Sequence, residues 1–398
     1  MQIVKYNCIY KKKYTAYFDN AVMLFGIFYA IKESQLDYIG LQIITYPILL
    51  LSVGFSLLSV FHNCKLTLLN TLFFFVLFCV PVYLKIAYNS NVLIRSILIL
   101  AAYNIPFSHT VKMCMKTIIM VFSIVLLSLC LGVVEDRLYY KDVDMFQDGY
   151  AHDLGFKYFS YSYLVMGFVQ CCIYLWQKNM NIIKIVFLIT LSYIIFIVSS
   201  TRLQLYACTA FILAIFFLPY IPKKIINNKI LAFIAVIAYP LICLIQYFVS
   251  KYHILSLFYD GYAELNKTMS GRLRLNEEAF MRYDVTLWGN DLEFNNTPGA
   301  NYFYIDSGYL HVLLGDGLFF TMVILILYAI LTYKIYKARA YYLYVWILIY
   351  SILNISNGFL VNILANPILL LAFSDTETIH MDYILCSKKK KTKIGQTI

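Results

Sequence analysis

The stretch "KILAFIAVIAYPLICLIQYFVS" (229–250) runs directly into the polar stretch 251–305, and this junction decides the fold. The first stretch is apolar over the roughly 20 residues that a bilayer-spanning helix needs. The second carries acidic residues together with Arg272, Arg274 and Arg282. We therefore expect a large polar loop that emerges from a membrane-embedded helix.

The rest of the chain is mostly apolar. Of its 398 residues, 62% are hydrophobic and 13% are charged, and the mean hydropathy is +0.73. A soluble protein of this length cannot bury so much apolar surface. The apolar runs are continuous rather than alternating, which favours helices over a barrel. We expect an all-α polytopic membrane protein with about 12 transmembrane helices, in the runs 15–32, 37–61, 66–86, 90–107, 112–134, 158–176, 182–200, 202–219, 229–250, 317–334, 341–358 and 359–373.

These runs divide the chain into four parts. Residues 1–250 form an N-terminal bundle of about nine spans with a loop at 135–157. Residues 251–316 form the large loop with short helices, 317–373 form the C-terminal spans, and 374–398 form a basic tail. The run after Lys11, Lys12 and Lys13 has no small-residue cleavage site and is expected to be a retained signal anchor.

Charge distribution predicts the orientation of the chain. An even number of spans puts both termini on one side, and we assign that side as cytoplasmic. Most of the 32 Lys and Arg then lie in inner segments, and most of the 21 Asp and Glu lie outside, as the positive-inside rule requires. The net charge of +11 is thereby explained by topology and anionic lipid, and a nucleic-acid partner is not expected. The loops 135–157 and 251–305 face outward.

Three arginines are candidates for binding phosphate. Arg202 lies at the short turn "SSTRLQ" between two spans, where a charge indicates function or a snorkelling anchor. Arg272 and Arg274 lie in "SGRLRLNEEAFMRYDVTLWGN" (270–290), which predicts a short amphipathic helix. That helix either rests on lipid or holds a substrate, and a guanidinium grips phosphate oxygens in a bidentate manner.

Three other residues are candidate general bases for a sugar hydroxyl. Asp306 lies at a position suited to capping a helix, which is its alternative role. His311 lies further along "YIDSGYLHVLLGDGLFF" (304–320), where Gly315, Asp316 and Gly317 are expected to break the helix. His152 lies in the smaller loop, before "LGF", and is equally consistent with an ordinary loop residue.

Several signals are absent from the sequence. It contains no Walker A loop, no GxGxxG, no HExxH and no CxxC, and its ten cysteines lie mostly in predicted spans. Neither a metal nor any other cofactor is expected. An outward-facing enzyme without a nucleotide site needs a substrate that arrives already activated.

Four segments in order resemble the Wzy-type polymerases of bacterial O-antigen, capsule and exopolysaccharide repeat units. They are "HDLGF" (152–156), "SSTRLQL" (199–205), "SGRLRLNEEAFMRYDVTLWGN" (270–290) and "DSGYLHVLLGDG" (306–317). The Pro-Asn that often follows the first segment is replaced by "KYFSY". The resemblance covers roughly residues 150–335, and the N-terminal third matches in topology alone.

The resemblance implies a GT-C-like, lipid-phosphate-dependent glycosyltransferase of the bacterial cytoplasmic membrane. Such an enzyme moves a glycan from undecaprenyl pyrophosphate onto a lipid-linked repeat unit, and its pathway includes a flippase and a chain-length regulator as partners. Arg202, Arg272 and Arg274 would hold the leaving pyrophosphate. Asp306 would be the base, with His311 and His152 as second and third choices.

Two other functions remain open at this point. A ligase that uses the same lipid carrier would share the large loop and its arginines. A flippase for lipid-linked oligosaccharides would place charges inside the spans, where Asp19 is one candidate. A general secondary transporter should show paired half-chain repeats, which this sequence lacks.

Overall fold

The computed structural model describes residues 2–63, 68–88, 92–141, 149–157, 160–177, 180–221, 228–295, 302–358 and 360–375. The predicted basic tail, 374–398, lies outside these residues except for its first two. The helices are α1 (Gln2–Lys32), α2 (Gln42–Asn63), α3 (Leu68–Tyr88), α4 (Val92–Ala101), α5 (Phe107–Cys130), α6 (Ser160–Trp176), α7 (Ile182–Ser199), α8 (Arg202–Phe217), α9 (Lys229–Lys251), α10 (Ile254–Phe258), α11 (Tyr262–Thr268), α12 (Arg272–Arg282), α13 (Gly308–His311), α14 (Gly317–Lys337) and α15 (Tyr341–Leu353). Strands β1 (Leu138–Lys141) and β2 (Gly149–His152) form an antiparallel hairpin.

The helical membrane class predicted from the sequence is confirmed. Five helical stretches of the described residues are long and apolar enough to cross a membrane, namely Ile43–Asn63, Phe107–Cys130, Ile182–Ser199, Lys229–Lys251 and Gly308–Lys337. The last of these joins α13 to α14 through a π-helical turn at Val312–Asp316, so the helix break expected at Gly315, Asp316 and Gly317 is wrong. Other predicted runs form shorter apolar helices, and α4 has only 10 residues. The count of 12 spans stays a prediction.

The helix bundle has two chemically different ends. At one end, which we call the polar end, the connection 33–37 contacts Glu135 and residues 155–157. Tyr304 lies within electrostatic range of Glu33, so the described residues 302–307 belong to the same end. At the opposite end, His109 at the start of α5 contacts Asp19 of α1, with 2.6 Å between Nε2 and Oδ1. The Asp375 amide donates to the Ile105 carbonyl at 2.9 Å. Residues 19 and 375 therefore lie at the same end, opposite the polar one.

The last predicted span, 359–373, is not an α-helix. Its described residues are buried and irregular except for a short 3₁₀ turn, Pro367–Ala372. The segment still runs between the two ends of the bundle. The Gly308 amide donates to the Asn354 carbonyl at 2.9 Å, and the Asn104 amide donates to the Phe373 carbonyl at 3.1 Å. Apolarity predicted the crossing, but Pro367 and the neighbouring asparagines oppose a regular helix.

Buried tyrosines satisfy the backbone of this irregular segment. The Tyr328 hydroxyl donates to the Leu360 carbonyl at 2.8 Å, and the Tyr350 hydroxyl donates to the Ala365 carbonyl. The Asn362 side chain accepts from the Leu364 amide at 3.2 Å. Non-helical backbone at membrane depth is tolerated only where protein groups replace water as partners. These bonds explain how the segment can cross the bundle without a helix.

Gly167 of α6 marks the closest approach of a helix to this segment, and it carries our first prediction. A Cβ at this position would lie 1.9 Å from the Leu364 carbonyl oxygen. Gly167→Ala should therefore destabilise the protein by about 1–3 kcal/mol, as overpacking of a core does. The measurement is the melting temperature in detergent. Gly54→Ala is the matched control, because a Cβ at this helical glycine has open space and alanine favours helix. Equal melting temperatures for Gly167→Ala and the wild type would contradict the packing described.

Candidate functional site

The "HDLGF" segment fastens the hairpin to the connection between α1 and α2. The Gln35 amide donates to the Gly155 carbonyl at 2.9 Å, and the Lys157 amide donates to the Glu33 carbonyl at 2.7 Å. The Gln35 side chain donates to the Glu135 carbonyl at 2.7 Å. The motif therefore fixes Glu33 and Lys157 at the polar end.

The two polar residues that open this segment have different roles. Asp153 is buried and accepts from the amides of Arg137 and Gly155 at 2.9 and 3.0 Å, which holds the loop in shape. His152 pairs with Asp136, with 2.5 Å between Nδ1 and Oδ2. None of its described contacts reaches Asp306, so the structure does not bring the third candidate base together with the first.

Helix α12 packs on protein along its apolar face. Leu275 and Ala279 are buried against Phe303, Ile305 and Leu310. This contact positions the first turn of α12 over the segment that carries Asp306. Leu275 and Ala279 therefore face protein rather than lipid.

Arg272 and Asp306 form an ion pair where these two segments meet. The distance between Arg272 Nε and Asp306 Oδ2 is 2.9 Å, and each side chain is 25% exposed. Asp306 is not the helix cap, because Ser307 Oγ accepts from the Leu310 amide instead. Asp306 is therefore available for an interaction other than capping.

The environment of Asp306 suits a group that exchanges protons. Burial raises the pKa of its carboxyl above the ordinary 3.8, and Arg272 opposes this shift only in part. Tyr163 lies within electrostatic range of both members of the pair, and Tyr304 lies within range of Asp306. Burial also raises the pKa of Tyr304, so its hydroxyl remains a neutral hydrogen-bond donor. Two phenols thus lie within electrostatic range of Asp306.

Neither of the other two candidate arginines contacts this pair in the described part of the chain. Arg274 is two residues along α12 from Arg272, its side chain is exposed, and its amide donates to Asn266 Oδ1 at 3.1 Å. Arg202 begins α8 directly after Ser200, which has a φ of 51°, and Thr201. Arg202 is half-buried, and its guanidinium makes no hydrogen bond or ion pair with another described residue.

A cavity of about 230 Å³ lies between α4, the segment 290–294 and the segment 308–316. Its charged and polar lining consists of Tyr88, Arg95, Asn290, Asp291, His311 and Asp316. We call it the Arg95 cavity. The His311 ring stacks on Phe294, with 5.6 Å between ring centroids and 14° between planes. His311 therefore belongs to the wall of this cavity.

Sequence reasoning missed three residues of the polar end: Glu33, Arg95 and Tyr304. Arg95 lies in the apolar run 90–107, and an ionisable residue inside a span is by itself a signal of function. Glu33 lies within electrostatic range of Arg95 and Lys157, and burial raises its pKa against both cations. A tyrosine in an aromatic-rich chain carries no comparable signal.

Comparison with known proteins finds no family model, no curated protein and no solved structure that matches this chain. The geometry of the polar end therefore carries the functional argument.

Proposed function

We propose that the protein polymerises undecaprenyl-pyrophosphate-linked oligosaccharide repeat units by glycosyl transfer at the outer face of a bacterial cytoplasmic membrane. The chain then crosses the membrane 12 times in a GT-C-like arrangement, counting the irregular segment 359–373, with both termini cytoplasmic. A flippase would supply its substrate, and a chain-length regulator would act on its product.

One observation carries this proposal: the Arg272–Asp306 ion pair (2.9 Å) at the polar end. A guanidinium is the fork-shaped cation that binds pyrophosphate oxygens. A carboxylate with a raised pKa is the group that takes a proton from an attacking hydroxyl. Both groups meet at the mouth of an apolar bundle, where a lipid-linked sugar would present its reacting carbon.

In the proposed reaction, the acceptor hydroxyl oxygen attacks the anomeric carbon of the donor glycan. The bond from that carbon to the pyrophosphate oxygen breaks, and the pyrophosphate leaves with the electron pair. Asp306 takes the hydroxyl proton. Arg272 turns from Asp306 to the pyrophosphate, where negative charge develops, and Arg202 binds the same group. Once Arg272 has turned to the pyrophosphate, the Asp306 carboxylate no longer forms the ion pair and can accept the proton of the attacking hydroxyl.

A deletion strain tests the function against its alternatives. We expect single repeat units on the outer leaflet, still attached to the lipid carrier, and no polymer. Long chains retained on the carrier would instead indicate a ligase, and repeat units trapped on the inner leaflet would indicate a flippase. The purified protein with a synthetic lipid-linked repeat unit should form polymer without added nucleotide. Absence of polymer in that assay would contradict the proposal.

The raised pKa of Asp306 predicts the acid limb of the pH profile. As the pH falls through this pKa, the carboxyl becomes protonated and can no longer accept a proton, so polymer formation should decline above the ordinary titration range of aspartate. The pH dependence of stability runs in the opposite direction. Because the pKa of Asp306 is raised in the folded state, this group stabilises the folded protein below its unfolded-state pKa. That stabilisation is lost as the pH rises through the folded-state pKa. The measurement is initial rate against pH. Asp306→Glu should move the acid limb, and an unmoved limb would exclude Asp306 as the titrating group.

A further inference from the structure

The walls of the Arg95 cavity are held rigidly by backbone contacts. A Cβ on Gly289 would lie 2.1 Å from the Gly315 carbonyl oxygen, and both Gly289 and Gly317 have positive φ angles of 90° and 88°. The Asn290 side chain donates to the Leu314 carbonyl at 2.8 Å. Glycine is required here because the two backbones touch. The segment that carries Asp291 is therefore fixed against the segment that carries His311 and Asp316.

The charges on these walls have mixed sign. Arg95 is a hydrogen-bond donor, whereas the carboxylates of Asp291 and Asp316 are acceptors. Pyrophosphate offers only acceptor oxygens, so two carboxylates would repel it. A sugar hydroxyl both donates and accepts. The cavity therefore suits a neutral, hydroxyl-rich ligand.

The cavity has the size of a subsite. Pockets for drug-sized ligands measure about 300–1,000 Å³, and the 230 Å³ found here suits one sugar ring rather than a whole repeat unit. Tyr304 connects the cavity with the reaction centre. It contacts Phe294 of the cavity wall, with 4.8 Å between ring centroids, and lies within electrostatic range of both Arg95 and Asp306.

We infer that the Arg95 cavity binds one neutral sugar residue of the acceptor repeat unit and thereby positions its hydroxyl beside Asp306. This inference rests on the glycosyl transfer proposed above. It assigns Arg95, Asp291 and His311 to acceptor binding, and it separates them from Arg272 and Arg202, which bind the pyrophosphate of the donor.

Gly358 offers a way to fill the cavity without disturbing the fold. It lines the cavity, and a Cβ at this position meets no atom within 4 Å. The side chain of Gly358→Val would occupy open space that the sugar needs. Gly54→Val is the matched control, because Gly54 is equally unobstructed and belongs to α2, away from the cavity.

The experiment measures binding without the lipid carrier. The probe is the repeat-unit oligosaccharide of the strain that encodes this protein, released from its lipid carrier by mild acid. Its Kd for the purified protein in detergent is determined by titration. Gly358→Val should raise Kd by at least about tenfold, because a side chain then clashes with the ligand, and Gly54→Val should leave Kd unchanged. Inorganic pyrophosphate in excess should not displace the oligosaccharide.

Each contrary result has a distinct meaning. Equal Kd values for Gly358→Val and the wild type would overturn the cavity assignment, as would absence of binding to the wild type or displacement by pyrophosphate. Polymer formation by the wild type from lipid-linked repeat units would still stand in those cases. Conversely, binding that is lost in Gly358→Val while the wild type forms no polymer would keep the sugar site and refute the polymerase.

Discussion

Arg272→Ala should abolish polymer formation, with a fall in rate of about 10²- to 10³-fold, the range found when a donor to a developing oxyanion is removed. The guanidinium lies 2.9 Å from Asp306 and is the cation best placed to turn from that carboxylate to a leaving pyrophosphate. Its removal also takes away the charge that lowers the pKa of Asp306. The measurement is the rate of polymer formation by equal amounts of the purified variant and wild-type proteins.

A charge reversal separates function from folding in this variant. If the ion pair serves only stability, Arg272→Asp combined with Asp306→Arg restores both the melting temperature and the activity. If the guanidinium binds pyrophosphate and the carboxylate takes the proton, the double variant regains stability and remains inactive, because the cation and the base have exchanged positions. We expect the second result, and full activity of the double variant would refute the role of Arg272.

Two further variants refine the same test. Arg272→Lys should be poor, because a point charge loses the bidentate grip, and substantial activity would favour a purely electrostatic role. Arg282→Ala is the matched control on α12. Its guanidinium is exposed and pairs with Glu278 rather than Asp306, and such surface pairs contribute about 0–1 kcal/mol. Its rate should therefore stay near that of the wild type.

The helical class of the fold follows from length and apolarity alone, but the path of the chain near its end does not. The run 359–373 is apolar like the others, and its surroundings decide its conformation. Tyrosines of α14 and α15 supply the hydrogen bonds that a helix would otherwise make within itself. Partners more than a dozen residues away are invisible to a reading of local composition.

The sequence was enough to identify candidate residues such as Arg272 and Asp306, but not to predict which of them are in contact. Arg272 and Asp306 stood out as charges in outward-facing motifs, yet they are 34 residues apart, and packing of α12 on Phe303 and Ile305 brings them together. His311 was predicted as the second candidate base and lies in the wall of the Arg95 cavity, and its role as a base stays a prediction. Arg95 reaches that cavity from α4, which lies outside the stretch covered by the family resemblance.

Arg202 combines two features that favour an anion. It is the first residue of α8, a helix of 16 residues, and the N-terminus of a helix carries unsatisfied amides and a partial positive charge. The residue is half-buried, and its guanidinium has no hydrogen-bond or ion-pair partner among the described residues. A charge that is partly removed from water without a partner costs free energy. This cost to stability is expected for an arginine whose binding partner is a substrate.

Arg202→Ala should therefore change stability and activity in opposite directions. Polymer formation should fall by about 10²-fold or more, as for other donors to a developing charge, while the melting temperature of the substrate-free protein stays level or rises. An arginine that only anchors the helix in lipid would give the reverse pattern, with a lower melting temperature and retained polymer. Arg202→Lys keeps the charge and should recover part of the activity, because the helix N-terminus still supplies its amides to the pyrophosphate. Unchanged polymer yield in Arg202→Ala would remove this residue from the site and leave Arg272 as the cation at the reaction centre.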